Sequence, residues 1–194
     1  MALNNEAVLT ASKGYILTGA VNATEPTPAQ IKAFSETTPP SGLTLLGHTS
    51  REDLPEFGFD GGDTETRGTW QNEALKEVVT DPAVEYVTFN LLQFDEEGLS
   101  LYYSRANTDT GNGVYRASPN TKPNERSLLI VVVDGGHKVG FFAPKVSIRR
   151  EDAISLEVDN FGALPLRATI LSPGAGAEPF AWIDEDVINP AVTP

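Results

Sequence analysis

Apolar and polar positions alternate along this chain in short bursts, separated by glycine and proline. In Val84-Glu85-Tyr86-Val87-Thr88-Phe89-Asn90-Leu91, residues Val87, Phe89 and Leu91 share one face and Tyr86, Thr88 and Asn90 the other, as in a half-buried strand. Residues 145–149 turn Val146 and Ile148 inward, and residues 164–170 line up Leu164, Leu166, Ala168 and Ile170. Residues 154–159 alternate in the same way, with Glu157 and Asp159 outward. Residues 127–133 are apolar without alternation, which predicts a central strand covered on both faces. Asp134-Gly135-Gly136-His137 then predicts a hairpin turn into 139–142.

Two short stretches switch to helical spacing. Thr27 with Gln30 forms a capping box and Pro28 suits the first helical position, so a helix begins there with Ile31 and Phe34 on its inner face. A second begins at Asp95, with Glu96 and Glu97 in the dipole-favoured first turn and Phe94 and Leu99 placed as a staple. Its expected buried stripe is Leu99, Tyr102 and Tyr103, and Gly98 should weaken it by about 1 kcal/mol relative to alanine. The expected architecture is mainly β: one domain over 1–194, a sandwich or barrel with a short flanking helix and long projecting loops.

Residues 51–67 break the rhythm. They hold Glu52, Asp53, Glu56, Asp60, Asp63 and Glu65 with three glycines and few core side chains, and read as an extended loop or projecting hairpin. Its acids with Leu54, Pro55 and Phe57 are candidates for contact with a neighbouring subunit. A Gly-, Ala- and Pro-rich arm from about 172 to 194 carries Phe180 and Trp182, two aromatics expected to dock on this core or on a neighbour.

Charge and composition narrow the function. Lys and Arg number 14 against 27 Asp and Glu, a net charge of −13, which disfavours gripping nucleic acid or anionic lipid. Cysteine is absent, so disulfides and thiolate chemistry are excluded. The N-terminus lacks a signal-peptide pattern, and no apolar run approaches about 18 residues, so neither secretion nor a membrane span is expected. Asn22-Ala23-Thr24 is then a chance sequon.

Candidate chemistry is sparse. His48 and His137 lack the partners of a zinc site, and no nucleophile elbow, phosphate loop or dinucleotide fingerprint occurs. Residues 107–113 resemble a calcium loop only faintly, with Ser118 where a carboxylate belongs. Asp95, Glu96 and Glu97 are accounted for by capping. No catalytic residue, cofactor or metal is expected.

The stretch Gly47-His48-Thr49-Ser50-Arg51-Glu52-Asp53-Leu54-Pro55-Glu56-Phe57, followed by Gly61-Gly62-Asp63-Thr64-Glu65 and Gly68-Thr69-Trp70-Gln71-Asn72, resembles the major tail (tail tube) proteins of long-tailed phages of actinobacteria. The resemblance continues through 84–89, 94–103, the opening Ala2-Leu3-Asn4 and the helix at Thr27, and so covers most of the chain. It implies a non-enzymatic virion protein that forms hexameric rings, stacked into a hollow tail tube through which the genome passes. The implied partners are further copies, the tape measure protein and other tail proteins. The implied places are the virion tail and, during assembly, the host cytoplasm. In such a tube an acidic lumen would let DNA slide, with Glu85, Glu157 and Asp159 as candidates to line it. The alternative is a phage β-sandwich that binds a receptor or carbohydrate, or another neck or tail structural protein.

Overall fold

The computed structural model describes residues 7–106, 112–120, 122–185 and 188. The strands are β1 (Lys13–Gly19), β2 (Leu43–Leu45), β3 (Glu56–Asp60), β4 (Thr64–Thr69), β5 (Asn72–Val79), β6 (Val84–Leu91), β7 (Asn124–Asp134), β8 (His137–Arg150), β9 (Leu164–Ile170) and β10 (Ala181–Ile183). Two helices interrupt them, α1 (Pro28–Lys32) and α2 (Glu96–Tyr102). The main sheet is antiparallel and runs β2-β1-β7-β8-β9-β6-β3, while β4 and β5 form a ribbon of their own.

The sheet curls until its ends meet. After β2 leaves β1, the Leu46 amide donates to Ile16 O, and the chain then crosses to β6, where Leu92 N donates to His48 O and Ser50 N to Asn90 O. Gly47 sits at this seam with φ of 103°, and a Cβ there would fall 1.8 Å from Gln93 Oε1. Only glycine admits the Gln93 side chain, which accepts from the His48 amide at 2.6 Å and donates to Asp95 at 3.3 Å.

Inside the curl lies the larger core, with Ile16, Val87, Phe89, Leu91, Leu128, Ile130, Val146, Ile148, Leu164 and Leu166 all buried. Outside β1 and β7 a second core is capped by α1, whose Ile31, with Phe34 just after the helix, covers Leu17, Leu129, Val131 and Phe142. Alternate residues of β7 thus serve two cores, which is why 127–133 needs apolar side chains on both faces. The capping box at Thr27 forms as expected.

Two expectations change and a third narrows. Residues 154–159 form no strand. The alternation there has no neighbouring strand to pair with: Ile154 tucks against the core, but Leu156 is 77% and Val158 101% exposed. The α2 helix is capped by Asp95, but it buries Gly98, Leu101 and Tyr102, leaving Leu99 and Tyr103 half-buried and Phe94 exposed. Gly98 is required: a Cβ would lie 2.5 Å from Gln93 O and 2.9 Å from Leu91 Cδ2, so its bareness lets the helix sit on the end of β6. Lastly, the choice between extended loop and projecting hairpin over 51–67 narrows to the hairpin form, with residues 56–60 and 64–67 in strand.

Candidate functional site

The element that leaves the body of the molecule is the β4–β5 ribbon. It continues the β3–β6 pairing through Gly62 N to Asp81 O and Thr80 N to Asp63 O, both 2.9 Å. Its residues are exposed apart from half-buried Val78, and at its tip Trp70 is 98% exposed. Arg67 lies opposite Lys76 just behind the tip, and Arg67 pairs with Glu65 at 3.3 Å. A two-stranded ribbon is marginal in water unless it packs on something. Among the described residues no other strand or helix packs substantially on it, and it displays Leu75 and Val79 as well as Trp70.

The candidate contact residues fall into two groups. Glu52, Asp53 and Leu54 are exposed in the approach to β3, with Pro55 half-buried, and Asp53 accepts from Asn90 Nδ2 at 3.2 Å. Glu56 opens β3 opposite Thr88. Phe57 does something the sequence did not signal: it meets Phe141 at 4.9 Å and Trp182 at 5.1 Å between ring centroids, and Phe141 also meets Phe180 at 5.4 Å. Phe57, Phe180 and Trp182 therefore gather around Phe141 of β8 and close one mouth of the main core. The C-terminal aromatics dock on this chain's own core, because β10 pairs with Gly140–Phe142 of β8 and brings them there. Phe57 and Trp182 remain 44% and 41% exposed, so the cluster keeps an outer surface.

The acids proposed for a lumen do not come together. Glu85 has the parity of Val87 but lies at the arm end of β6, beyond the core, and is exposed. Glu157 and Asp159 are exposed in the connection between β8 and β9, at the opposite end of β6.

Two charged clusters fasten the frame. The Arg167 guanidinium stacks 3.6 Å from the centroid of the Tyr86 ring and pairs with Asp60 and with Glu151, tying β3 and the end of β8 to β9. His137 is half-buried at the start of β8: its Nε2 lies 2.8 Å from the buried Asp184 carboxylate and fixes the end of β10 to the β7–β8 turn. Tyr102 donates to Asp152 O at 2.5 Å, and burial raises its phenol pKa, as does the neighbouring Tyr103. Among the described residues no group of three or more His, Asp or Glu is placed to hold a metal ion. No helix among them is long and apolar enough to cross a membrane. Residues 107–111 of the calcium-like stretch, and Ala2-Leu3-Asn4, lie outside the described residues.

Comparison with known proteins matches the sequence of this chain to a family. The phage tail tube protein family model matches residues 1–194. The chain is 43% identical to the major tail protein Gp23 of Mycobacterium phage L5, over 97% of this chain and 96% of the relative. It is 42% identical to the major tail protein Gp23 of Mycobacterium phage D29, with the same coverage of 97% and 96%.

Proposed function

This chain belongs to the phage tail tube protein family, a family of structural rather than enzymatic virion proteins, and from that premise we propose how it builds a tail. Copies assemble into hexameric rings, and the rings stack into a hollow tube that conducts the genome. The tube assembles in the host cytoplasm around the tape measure protein and joins the other tail proteins in the virion.

The observation that carries this reading is the β4–β5 arm, an ordered ribbon on which Trp70, Leu75 and Val79 stay exposed among the described residues. Burying a side chain such as Leu75 or Val79 is worth about 1.5–3 kcal/mol, and a second copy offers the surface to do so. Contacts between subunits also draw on the exposed approach to β3, from Glu52 to Phe57, and on the outer surface of the Phe180–Trp182 cluster. The net charge of −13, repeated around a ring, favours an acidic lumen that does not retain duplex DNA, with Glu85 as a contributor.

The test is negative-stain microscopy of the purified protein and of a variant in which residues 64–79 are replaced by a short glycine turn. Asp63 O and Thr80 N are already hydrogen bonded at 2.9 Å, so the shortened chain closes without strain. The wild type should give rings or tubes and the variant folded subunits that do not stack. Normal tubes from the variant would remove the arm from assembly.

A further inference from the structure

A second concentration of exposed apolar side chains lies far from the arm. In the connection 151–163, Leu156, Val158 and Phe161 are 77%, 101% and 85% exposed. Phe94, 44% exposed, adjoins them: a Cβ on Gly162 would stand 2.8 Å from Leu156 Cδ2 and 3.4 Å from Phe94 Cε2, so both side chains border that glycine. The segment is anchored at its root. Tyr102 donates to Asp152 O, Ile154 packs against the main core, and Asn160 Nδ2 donates to Glu157 at 2.7 Å. A tethered segment that keeps three large apolar groups in water is shaped to be covered.

Strand register locates this patch. Leu164 pairs with Leu91, so the patch lies at the C-terminal end of β6, whereas the arm leaves the sheet at Val84, the N-terminal end. The eight residues of β6 span about 26 Å between them. The two uncovered surfaces therefore sit at opposite ends of one subunit and differ in form, one a protruding ribbon and the other a low patch. A contact between unlike surfaces leaves a free copy of each at the two ends of any pair, and so propagates.

We propose that the patch formed by Phe94, Leu156, Val158 and Phe161 receives the Trp70 tip of the arm from the next copy of this chain. Charge bears on the match at one point: Glu157 and Asp159 punctuate the patch, and Lys76 stands behind Trp70 opposite Arg67, which pairs with Glu65, while Glu73 lies between them and the tip. This assignment rests on the self-assembly proposed above and specifies the surface that assembly uses.

The absence of native cysteine makes the test clean, since introduced thiols can react only with each other. Trp70→Cys is combined in one chain with Leu156→Cys, Val158→Cys or Phe161→Cys, and each assembled protein is oxidised. A head-to-tail contact gives a ladder of covalent multimers on a non-reducing gel from at least one combination, and none from the single variants. Separately, Val158→Asp alters a fully exposed side chain, so the subunit should melt like the wild type yet form no tubes. If the wild type forms tubes, no combination gives a ladder and Val158→Asp assembles normally, the patch is overturned and the tail-tube reading stands. If the wild type forms neither rings nor tubes, self-assembly fails and this contact with it.

Discussion

Gly98→Ala sets helix propensity against packing, and the structure decides the sign. In an exposed helix the change would stabilise by about 1 kcal/mol. Here the new methyl would lie 2.5 Å from Gln93 O, a backbone atom that cannot rotate away, and 2.9 Å from Leu91 Cδ2. An ordinary contact needs roughly 3.4 Å or more, so the first turn of α2 must lift off the end of β6 by most of an ångström. That movement pulls on the Asp95 cap, which accepts from Gly98 N at 2.8 Å and is worth about 1 kcal/mol. It also loosens Leu101 and Tyr102 in the core. Overpacking of this kind costs about 1–3 kcal/mol. Set against the propensity gain, and with part of the cap lost, the net destabilisation is about 1–2 kcal/mol. For a chain of this length that lowers Tm by roughly 2–8 °C. Urea titration of the isolated subunit should show a lower midpoint with an unchanged slope. A midpoint equal to or above wild type would mean that α2 does not rest on β6 through Gly98, and the packing described would be wrong.

Leu101→Ala should cost about 2–5 kcal/mol because Leu101 is 2% exposed, whereas Leu99→Ala at its half-buried position should cost clearly less; denaturant midpoints of the two rank them. Phe57→Ala and Trp182→Ala should be non-additive by about 0.5–1.5 kcal/mol in a double-mutant cycle, since the rings meet at 5.1 Å; strict additivity would separate β3 from the C-terminal arm. Tyr102 has a phenol pKa raised above its usual 10.0, so the folded state holds this proton more tightly than the unfolded one. Its contribution is intact below about pH 10 and is lost as pH climbs through the raised value; stability against pH should fall less steeply there for Tyr102→Phe than for wild type.

Much of the frame was legible because its signals are local. Residues 84–91 and 164–170 each have their periodicity set by one core, and the Thr27 capping box lies within a single turn of chain. What stayed hidden depends on partners distant in sequence. Residues 154–159 alternate as cleanly as a strand but have no strand beside them. Conversely Asn72–Val79, rich in helix-favouring Glu, Ala, Leu and Lys, is a strand because β4 pairs with it. The meeting of Phe57 with Trp182 is set by the curl of the sheet, not by either residue's neighbours. For Gly98 the composition could signal only lost propensity, since the atoms that forbid a methyl belong to Gln93 and Leu91. Residues 51–67 were legible as unusual from their acids and glycines, but the arm tip, Trp70, lay just beyond that window.

The pairing of β1 with β7 sets the timing of this protein's birth. Leu17 stands opposite Leu129 in the register, and the two strands lie more than a hundred residues apart in the chain. At ribosomal speeds of about 5–20 residues per second, β1 emerges roughly 6–20 seconds before the strand that will flank it. Through that interval Ile16 and Leu17, destined for opposite faces of the finished sheet, have neither core to enter. The nascent chain therefore needs shelter until Asp134 has left the exit tunnel. In a series of ribosome-stalled chains of increasing length, β1 should become protected from protease only in those long enough to carry Asp134 out of the tunnel, where β7 is free to pair.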